Sequence, residues 1–113
     1  MKKLPLLVGA LVGLVVPLTA FAGDCVITVT RIPCPGREAI CFSKCNGVAT
    51  CDETKKVGTK EACEKEATRN CTVFRPGDTK AKVITAKFND ETVNDGKDFC
   101  SPAKPEYNYN TCQ

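Results

Sequence analysis

The chain has 113 residues, 16 Lys+Arg against 13 Asp+Glu, nine cysteines, no histidine and no tryptophan. That length permits one small domain. Without histidine there is no Ser-His-Asp or Cys-His catalysis and no histidine-ligated metal, and a charge this near neutral excludes a nucleic-acid binder held by bulk electrostatics.

Residues 1–22 show the zones of a secretory leader. Met1-Lys2-Lys3 is basic, Leu4 to Val16 is an apolar run of 13 residues, Pro17-Leu18-Thr19 breaks it, and Ala20-Phe21-Ala22 supplies an A-x-A cleavage site. A retained anchor would need ~20 apolar residues and an uninterrupted helix, and this run is shorter and ends at Pro17. Asp24, preceding Cys25, is not the small apolar residue of a lipoprotein site. Cleavage after Ala22 leaves residues 23–113 as a single domain of 91 residues with 14 basic and 13 acidic side chains. The short Lys-Lys start resembles bacterial leaders, so the expected location is the periplasm or the medium, with no membrane contact after leader removal.

The mature chain keeps all nine cysteines but only four Phe and two Tyr. A domain of this size buries about 60–65% of its unfolded surface. Each disulfide contributes roughly 2–4 kcal/mol, so four would rival a small domain's whole net stability of ~5–15 kcal/mol. Cys25, Cys34, Cys41, Cys45, Cys51, Cys63, Cys71, Cys100 and Cys112 are therefore framework first.

Cys25 to Ile32 is rich in β-branched residues and reads as a strand, stopped by Pro33-Cys34-Pro35-Gly36. Ile40–Cys45 and Val48–Cys51 flank Asn46-Gly47, a strong hairpin signal, although a short helix capped by Gly47 is the alternative. Either geometry puts Cys41 and Cys45 on one face, and the hairpin register puts Cys51 on the other. Asp52 to Gly58 is polar and reads as a loop.

Thr59 to Asn70 is the best helix, with Thr59 as N-cap, Glu61 in the first turn, Arg69 near the end, and Glu61/Lys65 in the favourable i,i+4 order. Its apolar stripe is only Ala62, Cys63, Ala67 and Cys71, so sulfur must pin it. Cys71 to Phe74 reads as a short strand and Arg75-Pro76-Gly77-Asp78 as a turn. Ala81 to Phe88 is a strand with Ile84, Ala86 and Phe88 on one face and Lys82 at its start. Turns at Asn89-Asp90 and Asn94-Asp95-Gly96 then make an antiparallel meander. The tail 101–113 is expected to be extended, with Cys112 tying its end down. The fold class is a small α+β disulfide-rich domain with an antiparallel hairpin, a meander and one short helix.

Chemical motifs mostly fail. No cysteine spacing is the three-residue step of C-x-x-C, which argues against a thioredoxin-type pair, and a second C-x₂₋₄-C pair for zinc is missing. Asp90 to Asp98 is acidic, but aligning Gly96 with a calcium-loop glycine places Val93 and Pro102 where ligands belong. Asn70-Cys71-Thr72 matches N-x-T formally and reads as chance. Lys80, Lys82 and Lys87 read as a solvated sheet face or edge protection. No cofactor and no metal are expected. The carboxylates lie beside lysines with no apolar surroundings to raise a pKa, so catalysis is not expected.

Nine cysteines leave one unpaired, with roughly a hundred pairings for each choice of the odd residue. Cys112, close to the terminus, is the first candidate and Cys25 the second; a disulfide-linked homodimer and a buried thiol are equal alternatives. Elimination leaves an exported, non-enzymatic module that binds another macromolecule, a protein and not nucleic acid. Its contact residues would be Arg75 and Asp78, the Asp90–Asp98 turns, and Tyr107 and Tyr109. A toxin or protease inhibitor, and a thiol-redox or copper-handling protein, are the other classes.

Overall fold

A computed structural model describes residues 22–73, 76–101, 104–107 and 112. Within them, β1 (Gly23–Pro33), β2 (Thr50–Val57), β3 (Thr79–Phe88) and β4 (Glu91–Thr92) form one antiparallel sheet in the order β2-β1-β3-β4. Helix α1 (Glu38–Cys41) runs into a 3-10 turn at Phe42–Cys45, and α2 (Lys60–Arg69) continues as a 3-10 turn at Asn70–Thr72. This is the α+β disulfide-rich architecture expected. The leader lies outside the described residues except for Ala22.

Strand β1 is central because both its faces are β-branched, which lets it pair on either side. Cys25, Ile27 and Val29 point to the buried face and meet Phe88, Ala86 and Ile84 of β3 directly across the ladder. Cys63 and Ala67 of α2 close over them, and Cys71, Val93, Cys100 and Tyr107 complete the cluster. Two whole disulfides, Cys25–Cys63 and Cys71–Cys100, lie inside it. Sulfur thus occupies volume that a larger domain would fill with Leu or Phe.

Thr59 caps α2, its hydroxyl accepting from the Ala62 amide at 3.0 Å. The ion pairs on this helix differ from the Glu61–Lys65 spacing. Glu66 takes Arg69 at 3.2 Å and Lys55 of β2 at 3.3 Å, and these contacts, Arg69 first, hold its carboxyl below the usual carboxylate range. Past β3, Asn89 and Asp90 both adopt positive φ in a two-residue turn. The chain then returns along the outer edge of β3. The Val93 amide donates to Ala86 O, the Phe99 amide to Ile84 O, and Asp98 Oδ1 accepts from the amides of Ile84 and Cys100 at 2.8 and 2.9 Å.

Four local expectations are corrected. Asn46-Gly47 does not turn a hairpin: Asn46 (φ 55°) and Gly47 (φ 88°) terminate the helical segment, the Gly47 amide donating to Phe42 O. Two consecutive positive-φ residues serve a helix C-cap as well as a type I′ turn, so the dipeptide alone does not discriminate. Asp52–Gly58 is not a loop, because β2 runs in register with β1 from Gly23↔Val57 to Thr30↔Thr50. It is an edge strand, and its charged side chains guard the open edge. Cys71–Phe74 does not start a strand: the 3-10 turn keeps Cys71 inside, bonded to Cys100, while Val73 is exposed and Phe74 lies outside the described residues. The tail is not wholly extended, since Pro105–Tyr107 forms a 3-10 turn.

Candidate functional site

The disulfides are Cys25–Cys63, Cys34–Cys112, Cys45–Cys51 and Cys71–Cys100, and the remaining thiol is Cys41. Neither Cys112 nor Cys25 is the odd residue. Cys112 bonds to Cys34, which ties the tail to the end of β1, and Cys25 pins α2 to the sheet. Cys41 is buried, 4% exposed.

Cys41 lines a cavity of about 130 Å³ at one end of the buried sheet face. The alternation that buries Ile27 and Val29 reaches Arg31 two residues later, and the phase of Ile84 and Ala86 reaches back to Lys82. The register sets Arg31 and Lys82 directly opposite each other, two cations on adjacent strands. Segment 38–45 folds over them and brings in Cys41 and Lys44, while Glu53 of β2 and Thr79 of β3 close the lining. The Cys41 sulfur is 3.5 Å from Thr79 Oγ1.

Lys82 is 4% exposed, and its ammonium donates to Asn70 O at 3.2 Å and to Val73 O. Burial, and then the charges of Arg31 and Lys44, push its pKa down to about 8. A lysine at the head of a strand was expected on a solvated face. Its phase with Ile84 and Ala86, visible in the sequence, is the signal that places it inside. Arg31 is half-buried. Among the described residues its guanidinium meets only sulfur, Cys45 Sγ at 2.7 Å and Cys51 Sγ at 3.9 Å.

The expected contact residues fare differently. Asp78 is buried, and its Oδ1 accepts from Arg37 Nε at 3.0 Å, so it fastens the loop after β1 to the start of β3. Tyr107 is packed in the core cluster and not offered to solvent. Arg75 and Tyr109 lie outside the described residues. In the Asp90–Asp98 region, Asp98 is engaged as a backbone acceptor. Asn70 of the formal glycosylation triplet is buried, with Nδ2 donating to Glu66 O at 3.0 Å.

The opposite sheet face, missed at the level of sequence motifs, carries Val26, Thr28, Thr30 and Ile32 of β1 beside Ala81, Val83 and Thr85 of β3. Both helices lie on the other side. Ile32 and Val83 are each 39% exposed. Thr28 donates to Asp52 Oδ1 at 2.7 Å and Thr30 shares a 2.9 Å hydrogen bond with Thr50, so these hydroxyls are already partnered across the ladder. Charges stand at the margins, as in the Lys56–Asp24 ion pair at 2.5 Å.

No family model matches the chain, and neither curated proteins nor solved structures give a match. Four disulfides in so small a domain fit an oxidising compartment. No helix among the described residues is long and apolar enough to cross a membrane.

Proposed function

We propose that this protein is an exported, non-catalytic binding module that engages a protein partner through the open face of its sheet. The observation that carries the reading is the composition of that face: Val, Ile, Ala and Thr along β1 and β3, with the Thr28 and Thr30 hydroxyls partnered across the ladder and Asp52 and Lys87 flanking them. Protein interfaces have this anatomy, an apolar, charge-depleted core inside a polar border. Nucleic acid and anionic lipid would want cations at the centre. The cross-linked frame holds the face rigid, which limits the entropy lost on association.

The test is site-specific photo-crosslinking in the exporting cell, with the crosslinker in place of Thr30 or Val83, and of Lys65 on the exposed side of α2 as control. The expected result is one protein adduct from the two sheet positions, absent from the control and abolished by Ile32→Asp in a chain that keeps its four bridges. Adducts that form equally from all three positions, or that survive Ile32→Asp, would overturn the reading. An adduct with a second copy of the chain would make the partner the protein itself.

A further inference from the structure

The cavity on the buried side of the sheet is independent of the open face and has a chemistry of its own. Three of its lining residues, Arg31, Lys44 and Lys82, are cations, and two, Glu53 and Asp78, are anions. Asp78 is already engaged by Arg37. Cys41 is the remaining titratable group. Like charges placed directly opposite on neighbouring strands destabilise a sheet, yet Arg31 and Lys82 stand in that relation on the buried face. Among the described residues the fork of Arg31 meets only the sulfurs of Cys45 and Cys51, which are weak acceptors. Half-buried, it keeps donors for which the described chain supplies no oxygen.

We propose that this cavity is a binding site for one small oxyanion group, a carboxylate or a tetrahedral phosphate or sulfate, held by Arg31 and Lys44 in the field of Lys82. A planar guanidinium fork matches such groups in bidentate geometry. The volume sets the size of the ligand. At about 130 Å³ the cavity is well below the roughly 300 Å³ at which pockets for whole organic ligands begin, so it takes a single anionic group. Lys82 contributes field more than contact, because its ammonium is directed at the carbonyls of Asn70 and Val73. The pKa of Lys82 is depressed first by burial, and the charges of Arg31 and Lys44 add to it. Glu53 is the internal competitor, the lining carboxylate outside any ion pair among the described residues.

The test uses the fully oxidised, isotope-labelled protein at pH 7 and constant ionic strength, titrated separately with sodium acetate, sulfate and phosphate against a chloride reference. Amide and guanidinium resonances are followed by NMR. Saturable shifts at Arg31, Cys41, Thr79 and Lys82 are expected with at least one oxyanion and not with chloride. Tighter acetate binding would identify a carboxylate ligand, and tighter sulfate or phosphate binding a tetrahedral one. Arg31→Gln should weaken binding about tenfold or more, Glu53→Gln should tighten it, and Lys87→Gln, on the open face, should change nothing. Lys44→Gln at the rim provides a second weakening variant should Arg31→Gln fail to form its four bridges. Shifts that never saturate, that chloride reproduces, or that persist in both weakening variants would overturn the proposal.

Discussion

Replacing Lys82 by methionine should flatten the dependence of stability on pH above neutrality. The folded protein holds the Lys82 pKa at about 8, against about 10.4 for an unperturbed lysine. The sign follows from proton counting. Between those values the unfolded chain binds more protons than the folded one, so stability rises with pH. Below pH 8 both states carry the charge, and the folded state bears the full cost of burying it. At about 1.4 kcal/mol per pH unit that cost is on the order of 3 kcal/mol near pH 7, and most of it is relieved by pH 10. Methionine fills similar volume without the charge. Lys82→Met should therefore lose this rise, at the expense of the hydrogen bonds to Asn70 O and Val73 O. The assay is urea unfolding with intact disulfides at pH 7, 8, 9 and 10. It is carried out in a Cys41→Ser background so that thiolate exchange does not intervene. Wild-type stability should rise by about 2–3 kcal/mol over that range relative to the variant. Parallel curves would refute the assignment of Lys82 as a buried, charge-bearing lysine.

Three further outcomes are expected. Deleting Cys34–Cys112, whose partners are 78 residues apart, should cost about 4 kcal/mol, and deleting Cys45–Cys51, separated by 6, about 2 kcal/mol, because the longer loop restricts the unfolded chain more. Denaturant unfolding of the paired Cys→Ser variants checks this, and the reverse order would contradict it. Asp98→Ala removes one oxygen that accepts from two amides. It should cost about 2 kcal/mol and speed hydrogen exchange at Ile84 and Cys100, whereas unchanged exchange would refute the role. Cys41 should resist alkylation in the native protein and take one label per chain in denaturant; labelling at Cys112 or Cys25 would contradict the connectivity.

Signals confined to a few neighbouring residues carried through to the structure. Thr59 caps α2, Arg69 ends it, and of the narrow stripe Ala62, Cys63, Ala67 and Cys71 all but the half-buried Ala62 are buried. The turn at Asn89-Asp90 and the alternation of Ile84, Ala86 and Phe88 hold as well. Each depends on local dihedral preference or on a repeat of two or 3.6 residues, which the chain displays without knowing its partners. The site was less legible. Asp78 and Tyr107 looked like contact residues because loops and tails usually meet water, but Arg37 captures one and the core captures the other.

What the chain wrote in one dimension was its class: too little apolar bulk, enough sulfur to compensate, one capped helix and β-branched strands. The three-dimensional fold decided everything that requires distant residues to meet. It paired β1 with β3 across the whole helical segment, drew most of the polar run 52–58 into an edge strand, and assigned Asn46-Gly47 to a helix end. It also left Cys41 as the unpaired thiol beside Arg31 and Lys82. The physical reason is that a disulfide, a strand register and a buried charge are each defined by a neighbour, and neighbours far apart in the chain are chosen by packing, not by local preference.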